Sequence, residues 1–282
     1  MTGRRGPPPR PTTPTDPTLA THPVPRKKTF PIRSFGPGVA IDTSTTDGDA
    51  MTERWETFER IAAGAEDDGR ENRALLEKIK EWEAVSWRKD EVVVPQPNWG
   101  FYVFLTDHDE ATKELAPRAM ENWVQLIRQV QGADNADEPR PCADEVLRRF
   151  RLDIVDIEEE SVPGQPVSID RVRECFRALV RGLETSDDDG EDEKEYFSVP
   201  PPTRNTVCLA LDADKVRMLA TLSLSQDSRT YEAYKVQAVD IKWQRPKFMR
   251  GSREYRGVMD LDIIKLARAY ITCIDGLRDY SE

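Results

Sequence analysis

The sequence predicts an α+β fold: a two-layer sandwich in which a mixed or antiparallel sheet, a ferredoxin-like variant, carries its helices on one face. Three observations predict it. Short apolar runs rich in β-formers are interleaved with segments whose apolar residues recur every three or four positions. From Trp99 onward the order reads strand, helix, strand, helix, strand, strand, short strand, helix. That stretch, of about 185 residues, is long enough to bury roughly 70% of its unfolded surface.

The elements follow in order. Residues 1–50 hold 10 of the 21 prolines and few large apolar side chains, so burial cannot offset their ordering entropy and a disordered, basic Pro-rich tail is expected. In 51–91, Trp55, Phe58 and Ile61, then Leu75, Ile79 and Trp82, mark two narrow helical stripes broken near Gly64–Gly69. Helices so short need a larger body to dock on, and this segment reads as a peripheral appendage. The core domain is placed at 92–282. Pro95 and Pro97 lead into Trp99–Leu105, a buried strand. Leu115, Met120, Trp123, Leu126, Ile127 and Val130 form an amphipathic helix, with Pro117 tolerable only in its first turn and Gly132 as its stop. A Pro-rich acidic loop is expected at 133–145, then a strand from Phe150 to Ile157. Ser168 caps a helix lined by Val172, Cys175, Phe176, Leu179, Val180 and Leu183.

Residues 184–195 hold eight acids and one lysine, a self-repelling run that reads as a disordered acidic insertion. Thr206–Leu211 is a strand, and 214–224 a helix or a turn. In Tyr234–Trp243, Val236 and Ala238 fall on one parity while Val239, Ile241 and Trp243 fall on the other, which predicts a β-bulge near 238. A short strand at Gly257–Leu261 and a helix capped by Asp262 and closing near Gly276 complete the chain.

Composition excludes several classes. No run of 18 or more apolar residues exists, so a membrane-spanning helix is ruled out. The N-terminus lacks the apolar stretch of a secretory signal, which predicts a cytoplasmic or nuclear protein that is not secreted. Cys142, Cys175, Cys208 and Cys273 are widely spaced and only 2 histidines accompany them, so they read as small buried hydrophobes rather than metal ligands or disulfide partners.

Several strings resemble a family of uncharacterised proteins restricted to filamentous fungi: Asn98-Trp99-Gly100-Phe101, Phe150-Arg151-Leu152-Asp153, Ser168-Ile169-Asp170-Arg171-Val172-Arg173 with Phe176-Arg177, and Tyr234-Lys235-Val236 running to Trp243. The resemblance spans about 98–275. It implies a shared fold and carries no reaction, cofactor or catalytic residue. The chain departs from the family after the first strand, where Leu105-Thr106-Asp107-His108 replaces an Arg-Thr-Thr-Tyr-like string.

Three chemistries are weighed. Asp107, Asp109, Asp156 and Asp240 fall near strand ends, where hard oxygen ligands can hold Mg²⁺ for phosphoryl chemistry; helix capping is the plainer role. A stretch with six cations and one acid, Lys242, Arg245, Lys247, Arg250, Arg253 and Arg256, interleaves Trp243, Phe248 and Tyr255 in the manner of a phosphate-tracking, base-stacking segment. Against it stands the rest of the chain after residue 50, with 34 basic and 48 acidic residues and a net charge of −14. Arg5, Pro8 and Pro11 fit a polyproline ligand. Neither a P-loop, a G-x-G-x-x-G fingerprint nor a nucleophile elbow occurs, and no cofactor is expected. The reading is a non-enzymatic intracellular interaction module acting on a protein partner, with Trp99 and Trp243 as anchors; a metal-dependent enzyme acting on phosphate-containing substrates is the alternative, and nucleic-acid binding comes third.

Overall fold

The structure is a computed structural model, and it describes residues 30–39, 56–57, 59–61, 70–87, 93–95, 98–131, 140–157, 165–184, 197–199, 202–224, 228–243 and 256–273. Six strands form one mixed sheet: β1 (Ile32–Phe35), β3 (Trp99–Leu105), β4 (Phe150–Val155), β6 (Val207–Leu211), β7 (Lys235–Asp240) and β8 (Val258–Asp262), in the order β1-β4-β3-β6-β7-β8. A separate parallel pair joins β2 (Val93–Pro95) to β5 (Phe197–Val199). The helices are α1 (Arg70–Trp87), α2 (Glu110–Val130), α3 (Pro141–Arg148), α4 (Ile169–Glu184), α5 (Pro202–Thr206), α6 (Ala213–Ala220) and α7 (Leu266–Thr272).

The α+β class holds, but helices cover both faces of the sheet. The three central strands β4, β3 and β6 are parallel, and the outer pairings β1–β4, β6–β7 and β7–β8 are antiparallel. The chain steps from β3 to β4 in one direction, then returns past β3 to β6. Right-handed crossovers that run in opposite directions place their helices on opposite faces. Accordingly Phe101, Val103, Leu152 and Leu209 face a large core with α1, α2, α3, α6 and α7, whereas Tyr102, Phe104, Val155, Cys208 and Val239 face α4 through Val172, Phe176 and Leu179. This corrects the two-layer, ferredoxin-like expectation.

Two-sided burial also removes the bulge expected near 238. Register runs without interruption from Lys235↔Asp262 to Val239↔Val258, and from Val207↔Asp240 to Ala210↔Gln237. Val236 and Ala238 serve one core and Val239 the other, so both parities are apolar in a regular strand.

Other differences have local causes. Part of the segment expected to be a disordered tail is ordered: β1 pairs with β4, and Phe30 and Phe35 pack on opposite cores. The rest of 1–50 lies outside the described residues, as does 185–195 of the acidic insertion. The segment expected to be peripheral supplies Leu75, Leu76 and Ile79 to the main core, so α1 is integral. The loop expected through 145 gives way to α3, with Pro141 at the first-turn position where its missing N–H costs nothing. Asp109 caps α2 earlier than expected, which makes Pro117 the eighth residue of the helix. The last helix begins at Leu266, preceded by a turn, and its C-cap is Cys273.

Gly100 enforces one close approach. Its φ is +122°, and a Cβ there would lie 2.0 Å from the Arg151 carbonyl oxygen on the neighbouring strand. All four cysteines are buried thiols. Among the described residues no helix is long and apolar enough to cross a membrane.

Candidate functional site

In sheets wound in both directions, ligands bind outside the carboxyl ends of the strands, where the crossovers diverge. Here that point lies between β3 and β6, and backbone bonds close it. The Thr106 N–H donates to the Leu211 carbonyl at 2.9 Å, and the Val167 N–H donates to the Thr106 carbonyl at 2.7 Å. Asp107 completes the clasp, its Oδ2 accepting from the Ala213 N–H at 2.8 Å.

The opening lies one strand further out. A pocket of about 320 Å³ sits among β1, the carboxyl ends of β3 and β4, and the first turns of α2. Its floor is apolar: Leu105 from the end of β3, Ile154 from the end of β4, and Ala116 from α2. Its rim is charged. Arg33 comes from β1, Lys113 from α2, His108 from the loop between β3 and α2, and Asp156 from the residue after β4.

Local rules place these side chains. Lys113 and Ala116, three apart on α2, share one helix face and so present a cation and a flat apolar patch together. Ile154 pairs with Arg33 across β1 and β4, which puts both on the α2 side of the sheet. Asp156 is anchored by its own N–H, which donates to the Pro31 carbonyl at 2.9 Å. Arg33 is exposed, and its guanidinium has no hydrogen bond or ion pair among the described residues. The site therefore joins two permanent cations, an imidazole and one carboxylate in a chain whose formal net charge is −11.

The acids proposed from sequence as metal ligands are divided between the two ends of the sheet. Asp109 caps α2: Oδ1 accepts from the Thr112 N–H at 3.0 Å and Oδ2 from the Thr112 hydroxyl at 2.6 Å, bonds that hold the carboxyl below its usual range. Asp240 pairs with Val207 at the opposite end of the sheet, and its carboxylate accepts from the Lys242 N–H at 2.7 Å. Asp107 clasps Ala213, so of the four only Asp156 lines the pocket. No group of three or more His, Cys, Asp or Glu side chains among the described residues is arranged to hold a metal ion.

The basic stretch is only partly described. Lys242 and Arg256 are exposed, whereas Arg245, Lys247, Arg250 and Arg253 lie outside the described residues, as do Arg5, Pro8 and Pro11. The proposed aromatic anchors are occupied. Trp99 is fully buried and its indole N–H donates to the Val146 carbonyl at 2.6 Å; Trp243 lies 4.7 Å beneath the Arg173 guanidinium.

A second charged cluster joins Arg204, just before the amino end of β6, to the mid-strand residues Tyr102 and Asp153. Arg204 is 0% exposed, pairs with Asp153, and sits 4.5 Å over the Tyr102 ring. Arg151 donates to the other oxygen of Asp153 at 2.6 Å. Burial raises the Tyr102 and Tyr270 phenols above their usual range and keeps both protonated. The Arg204 Nε and Nη1 and the Tyr270 hydroxyl are buried without a hydrogen-bond partner among the described residues.

Sequence reasoning missed Arg33 because it lies in a segment that composition marks as tail, and Lys113 because a lysine on a helix face looks like a solvated charge. The signal that was available is the Pro-flanked, β-prone Ile32-Arg33-Ser34-Phe35. No protein-family model, no curated protein and no solved structure matches this chain.

Proposed function

We propose that this protein is a non-enzymatic binding module that recognises a protein partner through an anionic group received in the pocket beside β1. One observation carries the reading: the Arg33 guanidinium, which has no partner among the described residues, and the Lys113 side chain both border an apolar floor at the carboxyl end of parallel strands, the end that α/β sheets use for ligands. The geometry of the acids also favours it over the metal-dependent alternative, since Asp107, Asp109 and Asp240 spend their carboxylates on backbone N–H groups. As part of the same proposal we place the protein in the cytoplasm or nucleus, and we group it with the filamentous-fungal proteins whose strings it shares.

Capture experiments test the reading. The full chain and an Arg33→Glu/Lys113→Glu variant are tagged in the cells that express the protein, and bound proteins are identified. A partner retained by the wild type and lost from a folded variant supports the proposal. Equal recovery by both defeats it.

A further inference from the structure

The pocket's chemistry narrows what it holds, granted that it is the binding point. Its volume of about 320 Å³ lies at the small end of the range of roughly 300–1,000 Å³ typical of ligand sites. A short ligand, or one side chain of a larger one, fills it. The floor of Leu105, Ala116 and Ile154 offers no polar partner, so the part of the ligand that lies there must be apolar.

The rim asks for negative charge, and for only one unit of it. Arg33 presents a planar fork of N–H donors that matches the two oxygens of a carboxylate. Lys113 adds a point charge from the helix side. The amino end of α2 already carries a carboxylate of its own, Asp109, which accepts from the Thr112 N–H and adds a negative charge there. Asp156 stands on the same rim and repels a second negative charge. We infer that the pocket binds a monocarboxylate, its charge held by Arg33 and Lys113 and its short apolar chain laid on Leu105, Ala116 and Ile154.

Titration calorimetry on the full chain, at matched ionic strength, tests this with four probes: hexanoate, butyrate, hexyl phosphate and hexanol. Hexanoate is expected to bind saturably, and more tightly than butyrate by roughly fourfold per methylene. Hexyl phosphate is expected to bind no better than hexanoate despite its larger charge. Arg33→Ala should weaken hexanoate at least about tenfold, with partial recovery in Arg33→Lys; circular dichroism on both variants confirms that they are folded. Hexanol binding as tightly as hexanoate, hexyl phosphate binding more tightly, or an unchanged Arg33→Ala would each overturn the inference. A blocked peptide with one glutamate between valines then distinguishes the source: competition with hexanoate supports a carboxylate carried by a protein, and its absence supports a free acid. Failure of hexanoate to bind, while the double charge reversal still loses the captured protein, defeats the carboxylate inference alone. Hexanoate binding with unchanged protein capture defeats the protein-partner reading alone.

Discussion

The two ends of the sheet use the same kind of residue to opposite effect. At the amino end Arg204 is shut away from solvent, held by Asp153 and stacked on Tyr102; at the carboxyl end Arg33 stands exposed, with no partner among the described residues. A guanidinium taken out of water requires a compensating carboxylate, because desolvating an unpaired charge costs far more than folding can spare. One left in water carries no such requirement and stays available to an incoming anion. Solvent access therefore makes the first a structural pin and the second a ligand group.

Predictions that break or sharpen this contrast run from large effects to small. Gly100→Ala should abolish cooperative folding, since the added Cβ collides with the Arg151 carbonyl and the residue must also hold a left-handed φ; a normal thermal melt would remove the close strand approach from the account. Asp153→Ala strips Arg204 of its carboxylate and should cost about 3–5 kcal/mol in urea unfolding. The double change Asp153→Leu/Arg204→Met should recover much of that loss, because apolar replacement removes the stranded charge together with its partner. No recovery would mean that the cluster acts by packing alone.

At the carboxyl end the effects shrink. Asp212→Ala removes the cap of α6, whose Oδ1 accepts from the Lys215 N–H at 2.8 Å, and should cost about 1 kcal/mol. Arg33→Ala should leave stability within about 0.5 kcal/mol of the wild type. A larger loss would show Arg33 to be structural and end the comparison.

A pH titration samples both ends at once. The folded-state pKa values of Asp109, Asp212 and Glu145 lie below their ordinary values of 3.8, 3.8 and 4.5. For Asp109 the cause is the pair of bonds from Thr112. For Asp212 and Glu145 burial opposes the charge, but the hydrogen bonds from Lys215, and those from Arg148 and Arg149, outweigh it. Groups with depressed folded values contribute stability that is present above the ordinary values and lost as pH falls through the folded ones. The melting temperature should therefore drop as the pH falls through and below about 4. Glu145→Gln should reduce that drop, and an unchanged drop would remove Glu145 from the acid response.

Much of this was legible in the chain. Trp99–Leu105 and Val207–Leu211 are apolar runs buried on both faces, and Ser168 does cap α4, its hydroxyl accepting from the Arg171 N–H at 3.2 Å. The pocket was not. Its polar residues are scattered at 33, 108, 113 and 156, and nothing in local pattern says that β1 returns from an apparent tail to lie beside β4. Nor does pattern announce Arg204 as buried, since the adjacent Thr203 and Asn205 read as loop and the partner Asp153 is 51 residues away.

Local sequence, through side-chain periodicity, capping groups and proline placement, determined where most strands and helices form and that all four cysteines suit an apolar interior. Tertiary structure alone decided that helices would flank the sheet on both sides, because that depends on the direction in which each crossover returns. It also decided which charges would be sealed and which left open, because desolvation is a property of what surrounds a residue and is absent from the residue itself.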